Sequence, residues 1–304
     1  MRLLLITAED PLTRDARSRE LIRFPQLTMP LLAALTPTPW DIMHTDEIIQ
    51  LVDTRQHYDL VGITAATPGA PHAYELAESF RAHGTPVVMG GPHATLMPYE
   101  VSKYANIVVA GEAEPVWTRV LQDFERETHY AIGTHIIDPE TGATVQVLSN
   151  SAKIYHCPTP AKLAGLPHSR RDLIQNGGWN KWWATRTPLI ATRGCLHQCD
   201  YCAIPLIYPQ SNRMRFRPVE QVVAEIAAKP DKGVVFWDDN IGANARYAKE
   251  LFHALTPLNR WWTSQTTMES IRDDEFLHLA AKSGCKALFV GLESVNQPSL
   301  DGTR

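Results

Sequence analysis

The chain has 304 residues, of which 44% are hydrophobic and 20% charged, and its formal net charge is -4. This length and composition favour about two ordinary globular domains, and the net charge argues against a surface that binds nucleic acid. No apolar run approaches the roughly 20 residues that a membrane span needs. The five cysteines, an odd number, do not suit a disulfide framework, so a reducing, cytoplasmic location is expected.

Short apolar runs alternate with helical patterns over residues 1 to about 126. The predicted strands are Leu3 to Thr7, Ile42 to His44, Leu60 to Thr64, Pro86 to Met89 and Ile107 to Ala110. The amphipathic stretches Pro71 to His83 and Pro115 to Arg126 are predicted helices. Strands rich in Val and Ile that are separated by helices predict an α/β fold with a doubly wound parallel sheet.

Small residues follow three of these strands. The sequence there reads Thr64-Ala65-Ala66-Thr67-Pro68-Gly69, then Gly90-Gly91-Pro92-His93-Ala94, then Gly111-Glu112-Ala113-Glu114. Ligands of open parallel sheets bind at the carboxyl ends of the strands, and glycine lets a bulky flat ligand approach the backbone. Each turn alone also has a plain steric explanation, because glycine-rich turns end many strands.

The alternating pattern breaks after residue 130. Two short runs, Ala131 to Ile137 and Ala143 to Leu148, flank a polar turn with a glycine and predict a hairpin. We therefore assign residues 1–150 to a first domain with a C-terminal hairpin. Residues 151–184 hold several prolines and three tryptophans, which predicts a linker, and residues 185–304 form the second domain.

The second domain again reads as strands and helices in turn. The predicted strands are Thr187 to Thr192, Val234 to Trp237, Trp261 to Thr266 and Ala287 to Gly291, and the predicted helices are Arg217 to Ile226 and Arg272 to Ser283. Polar residues follow these strands at the end where β/α barrels build their active sites. The sequence therefore predicts an incomplete β/α barrel with its chemistry at that edge.

Three cysteines crowd the loop after the first of these strands, which reads Cys195-Leu196-His197-Gln198-Cys199-Asp200-Tyr201-Cys202. Thiolates this close in one loop can bind a single inorganic centre, and iron–sulfur clusters are held by cysteine sulfur. A cubane cluster has four irons, so three ligands leave one iron open to a small molecule. A structural zinc site is the alternative, but it would need four protein ligands, and His197 inside the loop would strain it.

The spacing Cys-x-x-x-Cys-x-aromatic-Cys, with Tyr201 as the aromatic, resembles the signature of the radical S-adenosylmethionine (SAM) enzymes. The resemblance implies a 4Fe-4S cluster on Cys195, Cys199 and Cys202 that cleaves SAM reductively. It also implies contacts from this chain to SAM, in particular to its ammonium, which needs carboxylate or other acceptors. The candidates for these SAM contacts are Tyr201, Asp238, Asp239, Gln265 and Glu293.

The first domain resembles the cobalamin-binding domain that precedes the radical SAM core in one large group of these enzymes. The turns quoted above carry the likeness, together with Phe24-Pro25, the segment from Met29 to Pro37, and Asp46-Glu47. The candidate cobalamin contacts are Thr64, Thr67, Gly90, Gly91, His93, Gly111 and Glu112. The motif Asp-x-His-x-x-Gly is absent from the sequence, which implies cobalamin without a histidine below the cobalt, or a domain that has lost cobalamin. For His93, a role in capping its loop is equally compatible with the sequence.

The resemblance predicts a radical SAM enzyme that modifies an unactivated carbon of a small molecule, with methyl transfer if methylcobalamin is present. An electron donor such as flavodoxin or ferredoxin is implied. Four predicted strands fall short of the family's partial barrel, and a full barrel takes about 250 residues, so the sequence predicts a C-terminally truncated chain. The alternatives are a cobalamin-independent cyclase or oxidoreductase and a truncated, inactive protein that binds cobalamin or a cluster.

Overall fold

The computed structural model describes residues 1–12, 14, 26–138, 142–174, 187–208 and 214–302. The chain divides into two compact units. Unit 1 comprises Met1–Ala161 with Pro167–Ala184, and unit 2 comprises Lys162–Leu166 with Thr185–Arg304. Two sequence features, Phe24-Pro25 and the tryptophan cluster of the predicted linker, lie outside the described residues. Among the described residues, no helix combines the length and the apolar character that crossing a membrane requires.

Unit 1 is built on an eight-stranded sheet with the strand order β2-β1-β3-β4-β5-β8-β7-β6. Its strands are β1 Arg2–Thr7, β2 Asp41–Asp46, β3 Leu60–Thr64, β4 Val87–Gly90, β5 Ile107–Gly111, β6 His135–Ile137, β7 Thr144–Val147 and β8 Lys153–Cys157. The strands β1 to β5 and β8 pair in parallel, as predicted for the first five. Their apolar runs are continuous because helices or loops cover both faces, and all five residues of β3 are buried.

Helices cover the faces of this sheet. They are α1 Thr28–Leu35, α2 Ala70–Ala82, α3 Pro92–Leu96, α4 Pro98–Val101 and α5 Trp117–Glu125, with 3-10 turns at Thr67–Gly69 and Arg171–Leu173. Along α2, Ala73, Tyr74, Ala77 and Phe80 are buried at helical spacing, which is how an amphipathic helix presents one face to a sheet. The two predicted helices in this region, α2 and α5, are thus confirmed within two residues at each end.

Strand β8 lies in the segment that the sequence assigned to a linker. It pairs in parallel with β5, and the predicted hairpin of β6 and β7 joins the sheet through it in antiparallel register. Ile154 and Tyr155, successive residues on opposite faces of β8, are both fully buried. The linker prediction therefore differs from the structure from residue 153 to residue 157, because these few residues belong to the interior of unit 1.

Unit 2 contains a four-stranded parallel sheet in the order β14-β13-β12-β9 and a small antiparallel pair of β10 and β11. The strands are β9 Thr187–Leu189, β10 Thr192–Arg193, β11 Arg215–Phe216, β12 Gly233–Phe236, β13 Trp261–Thr267 and β14 Cys285–Gly291. The helices are α6 Ile204–Ile207, α7 Val219–Ala227, α8 Ala245–Leu255, α9 Met268–Ile271, α10 Asp274–Lys282 and α11 Gln297–Gly302, with a 3-10 turn at Thr256–Leu258. Buried aromatic rings fill the space between the sheet and its helices, with Phe252 stacked on Trp262.

Two features of unit 2 differ from the sequence prediction. Helix α8 was not predicted, although the Asn244 side chain caps it by accepting a hydrogen bond from Tyr247 N at 2.9 Å. The predicted strand from Thr187 to Thr192 is two strands in two different sheets. It breaks because the backbone N–H groups of Ala191 and Thr192 donate to the Asp238 carboxylate and not to a neighbouring strand.

Candidate functional site

The three cysteines lie on one loop, residues 194–202, which we call the cysteine loop. Its first residue, Gly194, is buried with φ +88, a conformation that favours glycine. Cys202 N donates to the Cys199 carbonyl at 2.9 Å, so the two cysteines are joined by a turn. All three thiols are free and partly buried. The loop therefore presents three sulfur donors near the carboxyl end of β9.

Asp238 holds the backbone of the two residues, Ala191 and Thr192, that precede this loop by a few positions. It follows β12, the neighbour of β9, and its carboxylate accepts hydrogen bonds from Ala191 N at 3.2 Å and from the backbone N–H and hydroxyl of Thr192. The side chain is 0% exposed, and burial raises the pKa of Asp238 to about 7 despite these hydrogen bonds. A fully buried carboxylate with both oxygens engaged holds the backbone that leads into the cysteine loop, and the SAM contact of Asp238 stays a prediction.

The next two residues support the loop further along. Asp239 Oδ2 accepts a hydrogen bond from Gly194 N at 2.7 Å, and the side-chain amide of Asn240 donates to Cys195 Sγ at 3.9 Å. Burial raises the pKa of Cys195, while hydrogen bonds from the His197 backbone and from Asn240 oppose that rise. The three successive residues Asp238–Asn240, which we call the anchor segment, thus hold three successive parts of the chain that leads into the cysteine loop.

The donor set suits an iron–sulfur cluster better than a single metal ion. No group of three His, Cys, Asp or Glu side chains in the described parts of the chain is arranged to hold one ion. A cubane cluster binds each cysteine through a different iron, so its sulfur ligands do not need the close spacing of a single-ion site. Three free thiols on one supported loop, with an amide donor at one sulfur, fit that requirement.

The other predicted SAM residues surround the loop in part. Desolvation, together with the nearby Cys199 sulfur and Glu293 carboxylate, raises the pKa of Tyr201. Glu293 has a positive φ of 56 just beyond β14. Gln265 on β13 is exposed and donates to the Asp239 carbonyl at 3.3 Å. The structure thus brings Tyr201 and Glu293 together and links Gln265 to the anchor segment through the backbone.

The carboxyl edge of unit 1 is formed by the turns after β3, β4 and β5. Gly91 has φ +92, and a Cβ there would lie 2.2 Å from Thr64 Oγ1. Gly111 has φ +102, and a Cβ there would lie 2.7 Å from the Cys157 carbonyl oxygen. Both glycines are therefore required by the packing of the turns themselves. At Gly90 a Cβ would lie 3.7 Å from the Val109 carbonyl oxygen, which is an ordinary van der Waals contact, so a side chain could be accommodated there.

The remaining edge residues are oriented differently from one another. Thr64 is buried at the end of β3, whereas Thr67 in the following 3-10 turn is exposed. Glu112 is partly buried, and its carboxylate accepts a hydrogen bond from the backbone N–H of Ala161. The partly exposed backbone at Gly90, which carries no side chain, and the exposed Thr67 fit a bulky neutral ligand such as a corrin. We call the set Thr64, Thr67, Gly90, Gly91, Gly111 and Glu112 the cobalamin edge.

His93 lies behind this edge and not on its open face. It is 6% exposed, its Nε2 lies 2.7 Å from the Tyr74 hydroxyl, and its Nδ1 lies 3.3 Å from Thr67 Oγ1. Tyr74 also donates to Glu100 Oε1 at 2.9 Å. With both ring nitrogens engaged, His93 fixes the turn after β4 to its neighbours. The geometry supports the loop-capping interpretation of His93 over a direct contact with cobalamin.

Sequence reasoning missed the supporting side chains of both units. No functional role is predicted from the sequence for Asn240, Thr192 or Tyr74. For Asn240 a signal was available, since it directly follows the two predicted carboxylates after β12. For Thr192 and Tyr74 the sequence offered none, because their partners lie 46 and 19 residues away along the chain.

Two family descriptions match the chain in succession. The B12 binding domain matches residues 35–121, and the Radical SAM superfamily matches residues 189–302. The first match covers β2 to β5 of unit 1 and the second covers the cysteine loop and the sheet of unit 2. The order of the two matches agrees with the predicted order of the two domains.

Curated relatives match nearly the whole chain. Bacteriochlorophyllide d C-12(1)-methyltransferase of Chlorobaculum tepidum is 27% identical over 281 residues, which is 89% of this chain and 56% of the relative. Bacteriochlorophyllide d C-8(2)-methyltransferase of the same organism is 26% identical over 285 residues, or 90% of this chain and 59% of the relative. The chain thus spans somewhat more than half the length of these relatives.

A solved structure shares the fold. The radical S-adenosylmethionine methyltransferase TsrM from Kitasatospora setae, with tryptophan substrate and a SAM analog bound, superimposes with a TM-score of 0.72 at 17% identity, covering 99% of this chain and 61% of that one. The two family matches span the cysteine loop and the turns of the cobalamin edge, and the solved structure has the same fold. By these matches the chain carries a B12-binding domain followed by a radical SAM domain.

Proposed function

We propose that this chain carries the cobalamin and radical SAM part of an enzyme that transfers a methyl group to an unactivated carbon of a small molecule. The observation that carries the proposal is the cysteine loop, whose three free thiols are supported by the anchor segment at the carboxyl end of a parallel sheet. Relatives named as methyltransferases of bacteriochlorophyllide d support the type of reaction. Because the chain spans 56% of the first of them, the activity of the whole protein is part of the proposal.

The residues take separate roles in this proposal. Cys195, Cys199 and Cys202 hold the cluster, and the cobalamin edge holds cobalamin. When bound, the cluster supplies an electron for reductive cleavage of SAM, and cobalamin supplies a methyl carrier. The candidate contacts to SAM are Tyr201, Asp239, Gln265 and Glu293, of which Tyr201 and Glu293 already lie together. Asp238 positions the backbone that leads into the loop and remains a further candidate contact to SAM.

The proposal includes a source of electrons and a reducing compartment. A small redox protein such as flavodoxin or ferredoxin suits this role, because the cluster must be reduced by one electron at a time. A cytoplasmic location is supported by the five free cysteines, which would be prone to oxidation elsewhere.

The first test is formation of 5'-deoxyadenosine. The chain is reconstituted anaerobically with iron and sulfide, reduced with dithionite and incubated with SAM, and the product is quantified by mass spectrometry. We expect the wild-type chain to form it and Cys199→Ala to lose at least 90% of the product, roughly the tenfold effect of 1.4 kcal/mol. Cys285→Ala is the matched control, since Cys285 is also a partly buried free thiol but lies on β14, away from the cysteine loop in sequence.

The second readout separates methyl transfer from the cobalamin-independent alternative. The reconstituted chain is loaded with cobalamin and given SAM with a deuterated methyl group, and the cobalamin is then analysed by mass spectrometry. Deuterated methylcobalamin supports the methyltransferase. Formation of 5'-deoxyadenosine by a chain that retains no cobalamin after desalting would favour a cyclase or oxidoreductase, and equal product from wild type and Cys199→Ala would overturn radical cleavage.

A further inference from the structure

Asn240 is the one residue of the anchor segment whose side chain reaches a cysteine sulfur. It lies just beyond β12, is 2% exposed, and its Nδ2 is 3.9 Å from Cys195 Sγ. Its neighbours in the segment, Asp238 and Asp239, bind backbone N–H groups of the chain that leads into the loop. The segment therefore has two parts: two carboxylates that hold the backbone and one neutral amide beside the sulfur.

The orientation of this amide is fixed by two donors. Asn240 Oδ1 accepts hydrogen bonds from Gly242 N at 3.2 Å and from the Thr266 hydroxyl at 3.1 Å. A backbone N–H can only donate, so the atom that faces Gly242 must be the amide oxygen and the NH₂ group must face Cys195. Gly242 packs closely against β13 and the residues after it, since a Cβ there would lie 2.5 Å from Thr266 Oγ1 and 2.3 Å from Ser270 Oγ. The donor toward the sulfur is therefore built into the packing between the loop after β12 and strand β13.

An amide donor at a ligand sulfur affects the cluster that the sulfur holds. Reduction adds negative charge to an iron–sulfur cluster, and a hydrogen bond to a cysteine sulfur stabilises that charge, which raises the reduction potential. The nearby carboxylate of Asp239 acts in the opposite direction, because negative charge disfavours the added electron. A neutral donor at position 240 thus offsets part of the negative field of the segment that supports the loop.

We infer that Asn240 is a positioning residue that directs its amide hydrogen bond at Cys195 and thereby raises the reduction potential of the cluster. This inference rests on the proposed function, since it requires the cluster. It also gives a role to two further residues, Gly242 and Thr266, which orient the amide through their hydrogen bonds to Asn240 Oδ1. The effect on the potential acts through Cys195, because this is the one cysteine among the described hydrogen-bond partners of the Asn240 side chain.

The test is a redox titration of the reconstituted chain, followed by electron paramagnetic resonance of the reduced cluster in the absence of SAM. Asn240→Asp keeps the shape of the side chain and the oxygen that Gly242 and Thr266 bind, and it replaces the donor to Cys195 with a carboxylate oxygen. We expect its midpoint potential to shift to a more negative value. Asn244→Asp is the control: it makes the same change in the same loop, where the side chain caps α8 and an Asp can take over that role.

Thr266→Val gives a second and milder perturbation. It removes the hydroxyl that orients the amide but keeps the amide itself, so a smaller shift in the same direction is expected. If Asn240→Asp fails to assemble a cluster, this variant decides the question. A midpoint potential in Asn240→Asp equal to that of the wild type would overturn the inference and leave the proposed function standing. If Asn240→Asp holds no cluster, a wild-type potential in Thr266→Val would have the same consequence. A wild-type chain that assembles no cluster would overturn both.

Discussion

The cobalamin edge of unit 1 and the cysteine loop of unit 2 each follow the carboxyl ends of strands in their own sheet. The backbone at the two sites is held in place by different kinds of contact. At the cobalamin edge the turns can pack closely because glycine has no side chain, as at Gly91, where a Cβ would not fit against Thr64. At the cysteine loop the backbone is held by side chains that reach across from the next strand, as Asp238 holds Thr192. Close packing at glycine residues determines the shape of the first site, and hydrogen bonds from side chains determine that of the second.

This difference follows from what each site has to hold. A large flat ligand makes contact over a wide area, so its site needs an accessible backbone and few fixed polar partners. A cluster is bound through covalent bonds to a few sulfur atoms, so the positions of those atoms must be fixed before it arrives. The buried carboxylate of Asp238 and the positive φ of Gly194 are consequences of that need.

The largest expected effect is the removal of the carboxylate below the cysteine loop. Asp238→Ala leaves three buried donors, two backbone N–H groups and the Thr192 hydroxyl, without their acceptor. Each buried donor without a partner costs about 1–3 kcal/mol, so we expect a loss of at least about 3 kcal/mol in the stability of unit 2. Hydrogen exchange of the backbone amides of Ala191 and Thr192 and urea unfolding would measure it.

Asp274→Ala is the control for Asp238→Ala. Asp274 is an exposed carboxylate in the first turn of α10, where its loss should cost less than about 1 kcal/mol through the helix dipole. Equal stability of the two variants, with no faster exchange at Ala191 and Thr192, would show that directed hydrogen bonds do not hold the loop, and the contrast between the two sites would then disappear.

The next effect tests the opposite principle at the cobalamin edge. Gly91→Ala forces a side chain into a backbone conformation that is almost restricted to glycine and places its Cβ against Thr64, which we expect to cost about 2 kcal/mol of stability. The neighbouring Gly90→Ala should cost much less, since its Cβ meets only ordinary contacts. It should instead weaken cobalamin binding severalfold, because the added methyl group would cover backbone that a bulky flat ligand is expected to approach.

Urea unfolding and an absorbance titration with hydroxocobalamin separate these two glycines. Gly84→Ala is a useful reference for Gly91→Ala, since Gly84 also has a positive φ but open space around its Cβ position. If Gly90→Ala bound cobalamin as tightly as the wild type, the glycines of this edge would serve the packing of the turns alone.

The sequence predicted the strands that carry both candidate sites because their signals are local. Runs of Leu, Ile and Val predicted β1, β3 and β5 within a residue or two, and the spacing of three cysteines places the candidate cluster ligands within one loop. These patterns depend on periodicity and short spacing, which a single sequence displays directly.

The sequence could not predict which polar residues support a site and which face its ligand. Asp238 and Asp239 are adjacent and chemically identical, yet the first is fully buried on Thr192 and the second is partly exposed on Gly194. The difference depends on the direction in which the backbone leaves β12, and therefore on long-range packing. For the same reason the short strand β8 was assigned to a linker, since its place in the sheet depends on pairing with β5.

The smallest expected effect asks whether the cobalamin edge also depends on directed hydrogen bonds. Tyr74→Phe removes the hydroxyl that joins His93 Nε2 to Glu100, and the loss of this buried partner should cost about 1 kcal/mol of stability. Tyr104→Phe is the control, because its ring stacks on that of Tyr74 at 3.9 Å and the stacked pair is kept. His93 holds a turn whose conformation already depends on Gly91. We therefore expect the cobalamin affinity of Tyr74→Phe, measured by the same titration, to stay within about twofold of the wild type, or roughly 0.4 kcal/mol. A tenfold loss of affinity in Tyr74→Phe alone would mean that the turn is held by its hydrogen bonds, as the cysteine loop is, and that missing side chains are not sufficient to shape the edge.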